Sequence, residues 1–286
     1  MDQRREGRQY HGGIEASHQD RLADIMDLNL RGRTALITGA SKGIGRAIAS
    51  VLAEEGCNLV LVSRTAADLE TTRNEIAASH NVGIATHALD LSAVAAGKEL
   101  VAAHPDIDIL VNNAGAIPGG RLAEVDDTRW RQSWDLKVFG YINMSRAFYE
   151  AMKTRKGGVI VNILGVAGER LESTYIAGSA GNAGLIAFTK SLGAASPNDN
   201  IRVVGVNPGP VETERLEGLM RKRAQDQFGD AGKWRDFYKP LPFGRPGTPM
   251  EIAHMVAFLA SDLASYISGT VVTIDGGLAS RGNNGA

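Results

Sequence analysis

The feature that most constrains this chain is an alternation. From residue 33 onward, short apolar runs recur at 34–38, 58–62, 83–89, 107–111, 158–163, 201–206 and 271–274. Between them lie stretches with helical spacing or helical length: 44–55, 66–78, 92–103, 127–153, 175–194 and 249–261. Runs this short and this apolar suit strands buried on both faces. Strands of that kind joined by helices build a parallel sheet covered on both sides, with right-handed crossovers. The pattern predicts an α/β fold: one doubly wound domain with a seven-stranded parallel sheet.

The pattern does not extend to residues 1–26, which are polar, lack apolar periodicity and read as a disordered tail. The domain is expected over 27–286, with a polar insertion at about 212–247 after the sixth strand. No apolar run is long enough for a membrane span. The 31 basic and 32 acidic residues leave a net charge of -1, so nothing favours nucleic acid or an anionic membrane as a partner. The single cysteine, Cys57, rules out an intramolecular disulfide and suits a reducing, cytoplasmic setting. The six histidines are scattered without metal-binding spacing, which argues against a metal site. Glycine is in surplus, at 34 residues, and implies several places where backbone approaches something closely.

The first such place is Thr38-Gly39-Ala40-Ser41-Lys42-Gly43-Ile44-Gly45, between the first strand and a helix. Glycines keep such a turn tight and bare, and the amides at the following helix N-terminus face negative charge, as a pyrophosphate site requires. The same residues fit G-x-S-x-G, the elbow of a serine hydrolase with Ser41 as nucleophile. An elbow on the first strand has no earlier strand loop to complete an oxyanion hole and gives Gly45 no purpose. The Ser41 hydrolase is a remote alternative.

Over about residues 28–278 the chain resembles the short-chain dehydrogenase/reductase family. Thr38 to Gly45 matches its glycine motif, and Asp90-Leu91 its adenine-contacting acidic position. Asn112-Asn113-Ala114-Gly115 matches its N-N-A-G. Pro208-Gly209, with Val211 and Thr213 beyond, matches the segment along nicotinamide and pyrophosphate. Asp275-Gly276-Gly277 closes the last strand. The resemblance implies a Rossmann fold, a nicotinamide cofactor, a small-molecule substrate and a homotetramer or homodimer. At the tip of the second strand, NAD users place a carboxylate against the ribose. Here Ser63 and Arg64 stand there, with Lys42 in the glycine turn, so two cations favour the 2′-phosphate of NADP over NAD.

The resemblance also implies an Asn, Ser, Tyr and Lys set in which the tyrosine moves the proton and the lysine lowers its pKa. Asn182-Ala183-Gly184-Leu185 puts Asn182 at the Lys position and Gly178 at the Tyr position. Gly165 falls on the Ser position, and the 13 residues from Gly165 to Gly178 keep the family's interval. With Trp130 setting the register, Lys137 falls on the Asn position. Two readings stay open. Either catalysis is lost and a nucleotide-binding protein remains, or the site is rebuilt. A rebuilt site would use Tyr175 as proton donor, Lys137 to tune it, and Ser179 or Asn182 to orient substrate or ribose. Lys137 as a solvated or subunit-interface cation is the plainer alternative. In the insertion, Trp234, Phe237 and Tyr238 suggest a lid over an apolar or aromatic substrate.

Overall fold

The computed structural model describes residues 27–281; the expected tail lies outside the described residues. Seven strands form one sheet: β1 (Thr34–Thr38), β2 (Asn58–Ser63), β3 (Ile84–Ala88), β4 (Ile109–Asn112), β5 (Gly158–Ile163), β6 (Ile201–Pro208) and β7 (Val271–Ile274). Their order is 3-2-1-4-5-6-7 and every pairing is parallel. The helices are α1 (Gly43–Glu54), α2 (Ala66–Ala77), α3 (Ala96–Ala103), α4 (Asp127–Trp134), α5 (Gly140–Arg155), α6 (Ile176–Ala195), α7 (Glu214–Phe228) and α8 (Pro249–Ala260).

The two-residue period of the strands splits the core in two. Ile37, Leu61, Val111, Val161 and Val204 point one way and pack with Ile48 and Leu52 of α1 and Val256 of α8. Leu36, Val60, Leu110, Ile160 and Val203 point the other way, onto Leu100 of α3 and Met144, Phe148 and Met152 of α5. Chain order reverses between β1 and β4, each side of which leads to a different flank of the sheet. The crevice at such a switch point is where doubly wound sheets take ligands.

Three of the differences from the sequence pattern have a local cause. The third helix starts at Ala96 because Asp90 accepts the Ser92 N–H at 3.0 Å, which diverts the chain into a turn first. The sixth strand runs on to Pro208, whose missing N–H costs nothing at a strand end. The long helix expected over 127–153 is interrupted by a π-helical turn at Asp135–Phe139, between α4 and α5. The extra residue in that turn re-aims the side chains it carries, including Lys137.

The segment from α7 to α8 returns to the sheet through a capped helix start. Thr248 Oγ1 accepts the Glu251 N–H at 3.2 Å, and the Glu251 carboxylate accepts the Thr248 N–H at 2.7 Å. Arg245 grips the same carboxylate with two N–H groups, at 2.7 and 3.0 Å. Those bonds hold the Glu251 pKa down to about 2 from its ordinary 4.5. A carboxylate lowered on folding contributes stability above its unfolded pKa, and the contribution fades as pH falls toward about 2. Glu251→Gln should therefore flatten the loss of stability across that acid range, as urea unfolding at stepped pH would measure. Thr248→Ala should cost about 1 kcal/mol at neutral pH.

Candidate active site

The crevice at the β1–β4 switch is built by mutual bracing of two loops. Gly39 and Gly43 have φ of +65° and +52°, which L side chains rarely adopt, and a Cβ on Gly45 would collide with the Gly39 carbonyl oxygen. Thr38 Oγ1 donates to Val111 O at 3.2 Å and accepts the N–H of Asn113 and Ala114 at 2.8 and 3.0 Å. The Asn113 side-chain amide donates to Thr38 O at 2.9 Å and Gly39 O at 3.2 Å. The Asn113 side chain thus shapes the glycine turn from behind. Thr72 Oγ1 holds Ser41 O from α2 at 3.3 Å. Thr213 caps α7, and its methyl stands 3.1 Å from where a Gly43 Cβ would lie. Val211 is buried behind it, bridged to Gly247. Gly209 donates to Ile274 O at 2.9 Å, and a Cβ on it would come 2.8 Å from Asp275 Cβ. Ile44 lines the first core beside this loop.

The tip of β2 carries no carboxylate. Ser63 Oγ is buried without a hydrogen-bond partner, and Arg64 is exposed and makes no ion pair among the described residues. Lys42 is less available, since its Nζ lies 3.2 Å from Asp68. Asp90, past the end of β3, is held below the usual carboxylate range by its Ser92 hydrogen bonds and more weakly by Arg64, while Leu91 is buried in the second core.

At the far end of the crevice, Lys137 is only 9% exposed, so it is not a solvated cation. Its stem runs beneath Gly115, where a Cβ would collide with the Lys137 Cδ. Its Nζ donates to Ile163 O at 2.7 Å, Leu164 O at 3.3 Å and the Tyr141 hydroxyl at 3.1 Å. Tyr141 in turn donates to Ile163 O at 2.8 Å. Burial, with a smaller push from Arg215, lowers the Lys137 pKa to about 7. In the ammonium form its three N–H donors meet three acceptors, which leaves none for a substrate. Asn182 reaches the same strand end from α6. A Cβ on Gly165 would stand 3.2 Å from the Asn182 amide nitrogen, which itself donates to Gly178 O at 2.9 Å. The Asn182 Oδ1 is buried and has no partner.

Tyr175 lies just outside α6 as its N-cap residue, with φ -141° and ψ 42°. Its ring folds back over the first turn of α6. A Cβ on Gly178 would collide with the Cε1 and Cζ atoms of that ring, so glycine at 178 is what lets the phenol lie there. The loop carrying it is fixed on three sides. Gly120 N–H donates to Thr174 O at 2.8 Å, and Tyr175 N–H to Glu172 O at 3.0 Å. Ser179 Oγ accepts the Glu172 N–H at 3.0 Å and leans on Glu172 O at 3.4 Å. Ser179, expected to orient substrate or ribose, here braces the loop with its hydroxyl, and Tyr175 stands just outside the helix.

The cation beside Tyr175 is Arg215, in the first turn of α7. Its guanidinium donates to Gly115 O at 3.1 Å and Ile117 O at 2.7 Å. Burial raises the Tyr175 pKa, Arg215 draws it back down, and Glu172 adds a small upward push. Lys137 is not among these influences. The sequence did hold a signal for Arg215. A cation in the first turn of a helix opposes the macrodipole, so its position needs another reason.

The aromatics of the insertion do not line the crevice. Trp234 and Tyr238 are buried in a small core of their own with Ala224, flanked by Leu216, Met220 and Phe237. Arg235 and Arg221 stack on Trp234, at 4.2 and 5.1 Å from the ring centre. This packing removes the residue basis for expecting an aromatic substrate.

The sequence profile described as enoyl-(acyl carrier protein) reductase matches residues 39–279. The chain belongs to the short-chain dehydrogenase/reductase family. Relatives in this family include galactitol 2-dehydrogenase (L-tagatose-forming) of Cereibacter sphaeroides, 34% identical over 87% of this chain and 95% of the relative. Another is the 3-oxoacyl-[acyl-carrier-protein] reductase of Escherichia coli, 34% identical over 88% of this chain and 99% of the relative. Among solved members, L-sorbose reductase of Gluconobacter frateurii, complexed with NADPH and L-sorbose, superposes with a TM-score of 0.83. It is 29% identical and covers 90% of this chain and 100% of its own. A 3-oxoacyl reductase of Agrobacterium tumefaciens with NADP bound gives 0.79 at 31% identity, over 87% of this chain and 95% of its own. The glycine cradle and the unpartnered Ser63 and Asn182 oxygens are features that a dinucleotide seated in the crevice would complete.

Proposed function

We propose that this protein is an NADP(H)-dependent oxidoreductase that interconverts a carbonyl and an alcohol, with Tyr175 as the proton donor of a rearranged active site. The observation that carries the reading is the Tyr175 ring lying in the space that a side chain at position 178 would occupy. NADPH would lie with its pyrophosphate against Gly39, Ser41, Gly43 and Gly45 and Thr213. Its adenine would lie near Asp90 and Leu91, its 2′-phosphate against Arg64, and its nicotinamide end along Gly115 and Pro208 to Gly209. When bound, it supplies the hydride.

This chain's residues supply the rest. As the carbonyl carbon gains the hydride, Tyr175 gives its phenolic proton to the carbonyl oxygen and recovers one from solvent. The unpartnered Asn182 Oδ1 is an acceptor that a ribose hydroxyl would satisfy. Lys137 keeps the end of β5 in place through its three hydrogen bonds and touches no substrate. The phenol is set back compared with a tyrosine grown from position 178, whose ring would begin where this one ends.

NADPH consumption over a panel of keto sugars, 3-keto esters and aryl ketones tests the reading. Turnover of at least one class, lost in Tyr175→Phe, supports it. Tight NADPH binding with no turnover of any class would instead favour a nucleotide-binding protein without dehydrogenase activity. The bracing of the glycine turn gives a separate expectation. Asn113→Ala strands two carbonyls and should weaken NADPH binding by about tenfold, since a buried acceptor left unpaired costs about 1–3 kcal/mol. A fluorescence titration with NADPH reads this directly.

A further inference from the structure

Resting on the oxidoreductase reading of the crevice, we infer that its substrate carries an anionic group, a carboxylate or a phosphate, and that Arg215 of α7 receives it. The guanidinium stands over the loop that follows β4. It donates to Gly115 O at 3.1 Å from one terminal nitrogen and to Ile117 O at 2.7 Å from the other. The same loop meets the reactive end three residues later. Gly120 pairs with Tyr175, its N–H donating to Thr174 O at 2.8 Å and its carbonyl accepting the Ile176 N–H at 3.4 Å. Ile117 itself packs toward α6, where a Cβ on Gly181 would lie 3.3 Å from its Cδ1. Three residues of chain span at most about 11 Å. The backbone sites that hold Arg215 and Tyr175 are therefore within reach of one small molecule.

Most of the Arg215 fork is uncommitted. A guanidinium carries five N–H donors in a rigid plane, and two go to these carbonyls. The residue is exposed and makes no ion pair among the described residues. Glu217, two residues on, holds Arg221 at 2.7 Å instead. Glu172, on the loop that carries Tyr175, makes no ion pair with Arg215. Lys137 runs beneath Gly115 and adds positive charge to the same wall, and no carboxylate is among the influences on its pKa. This wall thus carries cations without a counter-charge among the described residues. An arginine fork in that setting grips a carboxylate or phosphate with two parallel hydrogen bonds.

The test titrates the full chain, saturated with NADP⁺, with two matched pairs: levulinate against its methyl ester, and fructose 6-phosphate against fructose. Calorimetry reads binding whether or not turnover follows. The anion of at least one pair should bind about tenfold more tightly than its neutral partner, as a hydrogen bond to a charged group provides. The pair that shows the preference tells carboxylate from phosphate. In Arg215→Met the preference should vanish, and in Arg215→Lys part of it should return. Equal binding of both anions and their neutral partners by the wild type overturns the inference, as does a preference that survives Arg215→Met. An Arg215→Met protein that melts with the wild type but binds NADP⁺ more weakly also overturns it, because the guanidinium then serves the cofactor. The assignment of Tyr175 fails separately. An anion preference lost in Arg215→Met, beside full turnover by Tyr175→Phe, removes Tyr175 from the reaction and keeps Arg215 as the anion site.

Discussion

Tyr175→Phe is expected to lower kcat for carbonyl reduction by about 10²–10⁴-fold while leaving NADPH affinity unchanged, the range found when a positioned proton donor is lost. The substitution is close to isosteric. Phenylalanine keeps the ring that packs over Gly178, so the turn at the start of α6 and the bracing by Ser179 are retained. What disappears is the hydroxyl alone. Stopped-flow NADPH oxidation read beside a fluorescence titration of NADPH separates chemistry from binding. A variant that retains kcat would remove Tyr175 from the reaction.

Gly178→Ala carries the second large effect, and its sign is unusual. Replacing glycine by alanine inside a helix ordinarily stabilises it, by up to about 1 kcal/mol. At position 178 the added methyl meets the outer edge of the Tyr175 ring, which is the mobile end of a side chain and can swing aside. Stability should therefore hold or rise, while kcat falls about as far as in Tyr175→Phe. The double variant should be no worse than either single one, because both remove the same group. A thermal melt paired with kcat for the three variants checks this. Falls in kcat that multiply in the double variant would mean that Gly178 matters for some other reason.

The sheet was legible because its information is local. Each strand is a short apolar run, and an order that places motifs at successive strand ends leaves little choice of topology. The glycine turn was legible for a similar reason, since its backbone demands show as residue type at Gly39, Gly43 and Gly45. The reactive end was legible only in part. That Lys137 and Asn182 meet at the end of β5 followed from their register on neighbouring helices. What each side chain does there depends on partners that no spacing reveals. Lys137 is consumed by two carbonyls and Tyr141, and Ser179 by the backbone of Glu172. Trp234 and Tyr238 look from sequence like substrate contacts because they are aromatic in an insertion. They pack inward because that insertion needs a core of its own. Arg215 was hidden because its meaning depends on where α7 docks, which is a tertiary fact. The π-turn at Asp135–Phe139 has no pattern in the residues that form it, yet it sets the direction in which Lys137 enters.

The central claim is that a tyrosine three residues from the usual position performs the proton transfer. A crystal structure of the NADP⁺ complex tests it most directly. The account predicts the Tyr175 hydroxyl facing nicotinamide C4 across a gap that a carbonyl group fills. Its oxygen would lie about 2.6–3.2 Å from the carbonyl oxygen of a bound ketone. A phenol turned away from the nicotinamide, beyond hydrogen-bonding reach of any group seated there, would contradict it.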